Sequence, residues 1–536
     1  MANNTIAQKK GGYLLPIILS VISGGLLILS QPPFNLGHIG WFCLVPLFVA
    51  LNGKTLRQSF ILGLITGFVY FLGLLYWLFP IMIPATIFGT ILLIIYLSLF
   101  FALFCLLFSF ICHLTPAHSI LSPLRYVFFA SVLWVSLEYL RSLGVLGFPW
   151  GLIAYSQWKN TTLIQIADIT GVYGISFVIV LFNAALAYLI YQYRPAFEVK
   201  RLAMPGMTVL SIFLIGVIIF VFFYGMRAIS IYAPMIKTEK KRIDVALIQG
   251  NIDQNKKWDP NYLGESLGIL MGLTRELKYV PDIIVWPETA ITISLNENKF
   301  LEDRIREFVR STKTFFLSGV QETESGKYFN RAILISPDGE ILGKYDKIHL
   351  VPFSEATPYF FKWIFPFLKK VISGEDFTPG KEWTVFNHPH PPSAGTRKFS
   401  CCICFESIFP QEIRKFTRAG AQFLINITND AWFGRTGAPY QHFAINVFRA
   451  VENRMEIARA ANSGISGYIN MIGQPRYWTS IFSRSVISSE VNLRTKETIY
   501  TRFGDIFSYF CLFASLVFII LPYINKIAKI FLTILN

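Results

Sequence analysis

The sequence predicts a multi-span α-helical membrane bundle joined to an α/β sandwich domain with helices covering its sheets (αββα). Three observations predict it. Charged residues make up 15% of the chain, against about 25% in soluble proteins. Apolar residues concentrate at 13–230 and again at 507–535. The stretch between, 240–505, carries both charge signs and short apolar runs, as an independent globular domain does. Three regions follow: a helical region of seven spans at 1–235, a globular domain at 236–505, and a last span at 506–536.

Lys9 and Lys10 precede the first apolar run, but no small-residue cleavage site follows, so this run reads as an uncleaved span. A span needs about 20 apolar residues, because unpaired backbone groups cannot sit in lipid. Eight segments qualify as candidates: 13–30, 38–52, 58–79, 87–113, 122–140, 166–192, 206–229 and 507–533. Pro32-Pro33 separates the first two, and the second is the shortest. With the N-terminus inside, the cytoplasmic segments hold Lys9, Lys10, Lys54, Arg57, Arg125, Arg194, Lys200, Arg201, Lys526 and Lys529. The short outer loops hold only Arg141 and Lys159, the asymmetry expected when basic loops stay on the cytoplasmic side. The globular domain then falls between the seventh and eighth spans, on the extracytoplasmic side. The net charge of +16 orients the spans and faces anionic lipid. No nucleic-acid motif accompanies it.

Within the globular domain, strands are expected at Ile243–Ile248, Ile283–Trp286, Thr314–Gly319, Ala332–Ser336, Ser400–Phe405, Phe423–Ile427 and Gly467–Met471. Helices are expected at 261–279, 299–312, 409–419 and 438–461. Reactive residues cluster where these strands end: Glu288 after Trp286-Pro287, Lys347 after Tyr345-Asp346, Cys404 before Phe405-Glu406, and the run Asn429-Asp430-Ala431-Trp432-Phe433-Gly434.

Of the seven cysteines, Cys43, Cys105, Cys112 and Cys511 lie in apolar spans as small hydrophobes. Cys401, Cys402 and Cys404 sit together, which is not a disulfide framework. Cys404 alone reads as a buried strand cysteine. The C-x-x-C spacing of Cys401 and Cys404 would need a helix N-terminus or further ligands to be a redox or metal site. His388-Pro389-His390 lies in a Pro-rich loop without carboxylates and reads as solvent-exposed rather than metal-binding. A cysteine, glutamate and lysine in one pocket make a different chemistry available. A neutral thiol is a weak nucleophile, a carboxylate can take its proton, and an ammonium can meet a tetrahedral oxyanion.

Trp286-Pro287-Glu288, the run from Tyr345 through Lys347 to Phe353, and Cys404-Phe405-Glu406 resemble the Glu-Lys-Cys triad of the nitrilase, or carbon–nitrogen hydrolase, superfamily. Joined to the apolar segments, the chain resembles the bacterial apolipoprotein N-acyltransferase family over nearly its full length. Pro32-Pro33-Phe34, Glu138-Tyr139-Leu140-Arg141, Gly147-Phe148-Pro149-Trp150 and Tyr155-Ser156-Gln157 share in the likeness. The resemblance implies a ping-pong transfer from a phospholipid, through a Cys404 thioester, to the α-amine of a diacylglyceryl-cysteine apolipoprotein. It implies Glu288 as general base, Lys347 as oxyanion stabiliser, and support from Glu355 and Glu406, with Trp432 and Phe433 near the substrate. No cofactor or metal is implied, the other partner is membrane lipid, and a monomer is expected. Ser354 stands where the family has glycine, which matters only if that position needs positive φ.

Tyr359 to Lys370, with Trp363 at its centre, mixes aromatics and lysines. It reads either as an arm that dips into the outer leaflet and gates lipid access, or as a loop packed in the domain's own core. Glu138 and Arg141 near a span end read as headgroup contacts or as a mutual pair. Two rival functions share parts of the pattern. A membrane-tethered amidase would use the triad but leave the motifs inside the spans unexplained. A transporter with a degenerate outer domain would not keep Glu288, Lys347 and Cys404.

Overall fold

The computed structural model describes residues 13–79, 84–114, 122–192, 203–238, 241–357, 376–388 and 397–535. Lys9, Lys10, Arg194, Lys200, Arg201, His390 and the aromatic run holding Trp363 lie outside the described residues.

The apolar segments are helical: α1 (Leu14–Ser30), α2 (Val45–Leu51), α3 (Leu56–Leu74), α4 (Pro84–Leu114), α5 (Ser122–Leu140), α6 (Val172–Gln192), α7 (Ala203–Thr238) and the last helix, Ile506–Leu535. Among the described residues, five are long and apolar enough to cross a membrane: those at 56–74, 87–114, 172–190, 205–236 and 506–524. The second candidate span is a 3-10 turn, Gly37–Trp41, followed by the seven-residue α2. Tyr13 at the start of α1 accepts a hydrogen bond from Gln58 in the first turn of α3, 3.1 Å away. The two helices therefore start side by side, and the chain returns between them through Gly37–Leu51. Gly63 and Gly67 lie one turn apart on α3, and a Cβ on either would stand within 3 Å of α4 backbone at Phe101 and Ser98. Small residues at that spacing let two membrane helices approach closely.

The globular domain is two six-stranded sheets. The strands are β1 (Arg242–Gln249), β2 (Ile283–Val285), β3 (Phe315–Glu324), β4 (Lys327–Ile335), β5 (Ile341–Asp346), β6 (Phe386–His388), β7 (Arg397–Ile403), β8 (Phe423–Thr428), β9 (Ile457–Ala461), β10 (Gly467–Ile469), β11 (Pro475–Arg476) and β12 (Ser485–Asn492). Their orders are β12-β1-β2-β3-β4-β5 and β11-β10-β9-β8-β7-β6. In each, three central strands run parallel (β1-β2-β3 and β9-β8-β7) between antiparallel flanks. Alternation along the strands sorts side chains into two cores. Val245, Leu247, Ile283, Val285 and Leu334 point toward the second sheet, with Ile403, Leu424 and Ile425 in the same core. Ala246, Ile248, Ile284, Trp286 and Ile333 pack on α8 (Leu263–Arg275) and α9 (Lys299–Thr312). The other outer layer is α10 (Pro410–Arg418) and α11 (Ala438–Asn453).

Three expectations are corrected. The helix expected at 438–461 ends at Asn453, because Arg454 turns left-handed at φ 46° and Ile457–Ala461 pairs beside β8. Burial on both sides removes the alternation that marks a strand. The strand expected at Ser400–Phe405 ends at Ile403, which puts Cys404 in the turn beyond it. His388 is not solvent-exposed: it lies in β6, buried, with its ring 4.3 Å from that of Phe315.

Glu138 and Arg141 are buried, and each reaches the 148–153 loop rather than a headgroup. Arg141 Nη1 donates to the carbonyls of Phe148 (3.0 Å) and Trp150 (2.8 Å), while Glu138 Oε1 accepts from the Ile153 amide at 3.0 Å. That loop packs under the globular domain.

Candidate active site

Parallel strands leave their carboxyl ends on one edge of a sheet, where loops carry functional groups. Glu288 follows β2, Cys404 follows β7 and Asp430 follows β8, so the two facing sheets deliver all three to a common edge. Lys347 arrives from β5, its amide bonded to the carbonyl of Asn330 in β4 at 2.9 Å.

Lys347 is fully buried between two carboxylates. Its Nζ lies 2.8 Å from Glu355 Oε1 and 3.4 Å from Glu288 Oε1. Burial alone would lower its pKa, but Glu355 and Glu288 outweigh burial and hold the ammonium above its ordinary range. Asn330 donates from one amide nitrogen to both carboxylates, 2.9 Å to Glu288 and 2.8 Å to Glu355. Glu355 is fixed in turn by the Val351 amide, 2.8 Å from its Oε2. Ser354 does not have positive φ; Phe353 does, at 65°, so serine in place of glycine costs no backbone strain here.

Cys404 is held at φ 52°, the left-handed region that a residue with a Cβ occupies only under constraint. Glu406 supplies that constraint. Its Oε2 accepts from the Ile403 amide at 2.7 Å. Its Oε1 accepts from Tyr345 Oη (2.7 Å), the Ile348 amide (2.7 Å) and the His349 amide (3.0 Å). One carboxylate thus ties the Cys404 turn to the loop that begins with Lys347. Burial pushes Glu406 up to about 7. Burial and the nearby Glu288 carboxylate raise the Cys404 thiol well above its ordinary pKa, against the pull of Lys347.

A second cation stands behind Glu288. Lys257 is buried, and its Nζ donates to the Glu288 carbonyl oxygen at 2.9 Å. Burial brings its pKa down to about 8, opposed by the charges of Glu288 and Cys404.

Behind Cys404, Asp430 Oδ1 lies 3.0 Å from His442 Nδ1. Arg459 Nη2 donates to Asp430 Oδ2 at 2.8 Å and lies 3.0 Å from His442 Nδ1. Donor atoms of Cys404, Asp430 and His442 fall within 4.8 Å of one another, a spacing that would suit a metal. The buried guanidinium of Arg459 already engages two of them and repels a cation. The set is a hydrogen-bonded network.

The structure gathers Glu288, Lys347, Glu355 and Glu406 around the Cys404 turn. It places Trp432 and Phe433 at the rim. Trp432 is 45% exposed and faces Trp258, with ring centres 6.3 Å apart. Phe433 packs edge-on against Trp77 from the helical region, at 4.6 Å. Asn330, Lys257, His442 and Arg459 are not foreseen by the sequence. They come from strand interiors, a short helix and a long helix, where no local pattern separates them from residues of the core or surface.

Two mixed sheets packed face to face, with a thiol, a lysine and carboxylates at their shared edge, define a carbon-nitrogen hydrolase domain, here carried by a bundle of apolar helices. Comparison with known proteins specifies the class further. The carbon-nitrogen hydrolase family matches residues 244–500, and the apolipoprotein N-acyltransferase N-terminal domain matches residues 23–185. An apolipoprotein N-acyltransferase of Geobacter metallireducens is 37% identical, covering 95% of each chain. One from Chlorobaculum tepidum is 30% identical over 93% of this chain and 94% of its own. An amidase from Nesterenkonia sp. AN1, of the nitrilase superfamily, aligns at TM-score 0.38 and 18% identity over 50% of this chain and 97% of its own. The chain belongs to the apolipoprotein N-acyltransferase family.

Proposed function

We propose that this acyltransferase moves an acyl chain from a phospholipid to the α-amine of an N-terminal diacylglyceryl-cysteine, through a thioester on Cys404. The observation that carries this reading is geometric: a half-buried cysteine held in a left-handed turn at the sheet edge, beside the buried Lys347–Glu288 ion pair at 3.4 Å. Glu288 takes the thiol proton as sulfur attacks the ester carbonyl, and Lys347 meets the developing oxyanion. The C–O bond breaks, the glycerol oxygen takes the proton from Glu288, and a lysophospholipid leaves. The lipoprotein amine then attacks the thioester, Glu288 receives its proton, and Cys404 leaves as thiolate and is reprotonated. Glu355 and Asn330 hold Lys347 and Glu288 in register, and Glu406 holds the nucleophile's turn. Trp432 and Phe433 border the path of the lipid chains.

In this reading residues 1–235 and 506–536 anchor the enzyme in the bacterial cytoplasmic membrane as a monomer, and 236–505 work on its extracytoplasmic side. The charge asymmetry of the loops supports that orientation. Incubation with acyl-labelled phospholipid should yield a thioester on Cys404 by mass spectrometry, and Cys404→Ser should abolish it. A label on another residue, or none, refutes the assignment. For the orientation, Lys327→Cys on an exposed hairpin tip should react with an impermeant maleimide in spheroplasts without lysis. A lysis requirement reverses it.

A further inference from the structure

His442 takes no part in the chemistry above, yet it is a fully enclosed imidazole in contact with the nucleophile's backbone. It lies on α11, 2% exposed. Its Nε2 is 3.2 Å from the carbonyl oxygen of Cys404 and 3.0 Å from Ser407 Oγ. The carbonyl can only accept, so the proton that binds it sits on Nε2. On the opposite side of the ring, Nδ1 meets Arg459 Nη2, which can only donate, and Asp430 Oδ1, which can only accept, each at 3.0 Å. The contact that bears on the nucleophile is the one at Nε2. Burial and the Arg459 charge both lower the pKa of the imidazole, against Asp430.

The anchor behind His442 is as complete as the contact in front. Asp430 is held by Arg459 at 2.8 Å and accepts from Thr428 Oγ1 at 3.2 Å. Arg459 also donates to Asn426 Oδ1 and to the Ile465 carbonyl. The next residue back along α11, Gln441, fixes the helix from the membrane side. Its Oε1 accepts from the indoles of Trp77 (3.1 Å) and Trp150 (2.7 Å). Its Nε2 donates to the carbonyls of Pro32 (3.1 Å) and Leu74 (3.2 Å). Every hydrogen-bonding position of that amide is used, all on the helical region. The Trp150 ring also lies 5.5 Å from the His442 ring. The first turn of α11 therefore grips the membrane helices with one residue and the Cys404 carbonyl with the next.

We propose that His442 is a positioning residue for acyl transfer. Its Nε2–H holds the carbonyl of Cys404, and so the left-handed turn that aims the sulfur at Glu288 and Lys347. Gln441 references that turn to the membrane helices past which the lipid donor must come. The proposal rests on Cys404 being the nucleophile. Glu406 fixes the turn from its amide side, at Ile403, and His442 from its carbonyl side. One restraint at the Ile403 amide and one at the Cys404 carbonyl leave the sulfur little freedom, and misplacement by about 1 Å can cost about 100-fold in rate.

The test is single-turnover acylation of Cys404 by labelled phospholipid, in the wild type, His442→Ala and His442→Gln. The glutamine amide reaches about as far as Nε2 and supplies an N–H to the same carbonyl. His442→Ala should acylate about 100-fold more slowly, at unchanged apparent affinity for phospholipid. His442→Gln should recover about tenfold of that loss, with the acid limb of the wild-type pH–rate profile retained. A residue that merely fills space would lose folded yield equally in both variants and show no glutamine rescue, and that result overturns the proposal. So does a His442→Ala enzyme that acylates at the wild-type rate, or a glutamine variant whose acid limb shifts, which would make His442 a proton carrier. If the wild type forms no thioester on Cys404, the nucleophile assignment fails first, and that outcome is separate from the other three.

Discussion

Glu406→Gln separates what a buried carboxylate does for stability from what it does for the site. In the wild type the carboxylate accepts four hydrogen bonds, three on Oε1 and one on Oε2. The glutamine oxygen can keep the three on one side. Its amide nitrogen then faces the Ile403 N–H, leaving a buried donor unpaired at a cost of about 1–3 kcal/mol. Against this stands the cost of burying the charge. Burial lifts Glu406 from an ordinary 4.5 to about 7. A carboxyl raised in the folded state stabilises fully below its unfolded pKa, and that stability is lost as pH rises through the folded pKa. At pH 8 the loss is about 3 kcal/mol, since each tenfold change in proton affinity is worth about 1.4 kcal/mol. Glutamine carries no such cost. The variant should therefore be less stable than the wild type at pH 4.5, and within about 2 kcal/mol of it at pH 8. Thermal unfolding in detergent across that range reads the convergence. Acylation should nonetheless fall about 100-fold at pH 8, because the Ile403 end of the Cys404 turn has lost its acceptor. A stability difference that does not change with pH would show that Glu406 carries no buried charge. A stable variant with the full acylation rate would show that the turn does not depend on it.

Lys257→Met should slow acylation about tenfold at pH 7 and flatten the alkaline limb near pH 8, where the wild-type ammonium loses its proton; pH–rate profiles of both proteins check this. Asn330→Leu removes the neutral donor that Glu288 and Glu355 share beside Lys347, and should lower kcat by about 10–100-fold at unchanged KM for phospholipid in steady-state kinetics. Arg141→Met leaves the Phe148 and Trp150 carbonyls unpaired at about 1–3 kcal/mol each, and should lower the Tm in detergent before it alters the kinetics of the fraction that remains folded.

How much of this is legible in the sequence follows from where each signal is stored. Glu288 and Cys404 end apolar runs, so a reading of strand ends finds them without knowing which strands are neighbours; Lys347 follows β5, a largely exposed strand with no apolar run. The Cys404 turn escapes such a reading because positive φ in a cysteine leaves no mark in composition; Glu406 and the Ile403 amide impose it after folding. β9 reads as helix because Ile457, Ala458, Ala460 and Ala461 are buried on both faces, and alanine favours helices when tertiary pairing does not decide. Asn330 stands in mid-strand and His442 inside a helix. Their meaning comes from partners far along the chain: Glu288 for one, Cys404 and Asp430 for the other. Arg141 resembles a headgroup ligand because charge near a span end is costly in lipid. Two loop carbonyls meet that cost instead.

The charges around the proposed nucleophile also bear on why the thiol is kept neutral. Lys347 and Lys257 are set against Glu288 and Glu355, so these four charges balance while Cys404 keeps its proton. A thiolate formed by losing that proton to solvent would leave one uncompensated negative charge in the interior, which is expensive. Transfer to Glu288 moves the proton inside the group and changes nothing in its total. The tetrahedral oxyanion then carries the same single charge the sulfur gave up, beside Lys347. The proton finally departs on the glycerol oxygen of the lysophospholipid, and the thioester left behind is itself neutral. Glu288 is then unprotonated again and ready for the amine. Raising the thiol pKa thus does not weaken the nucleophile. It makes attack conditional on a carboxylate in place and a carbonyl at hand, in a site where water would otherwise compete for the acyl group.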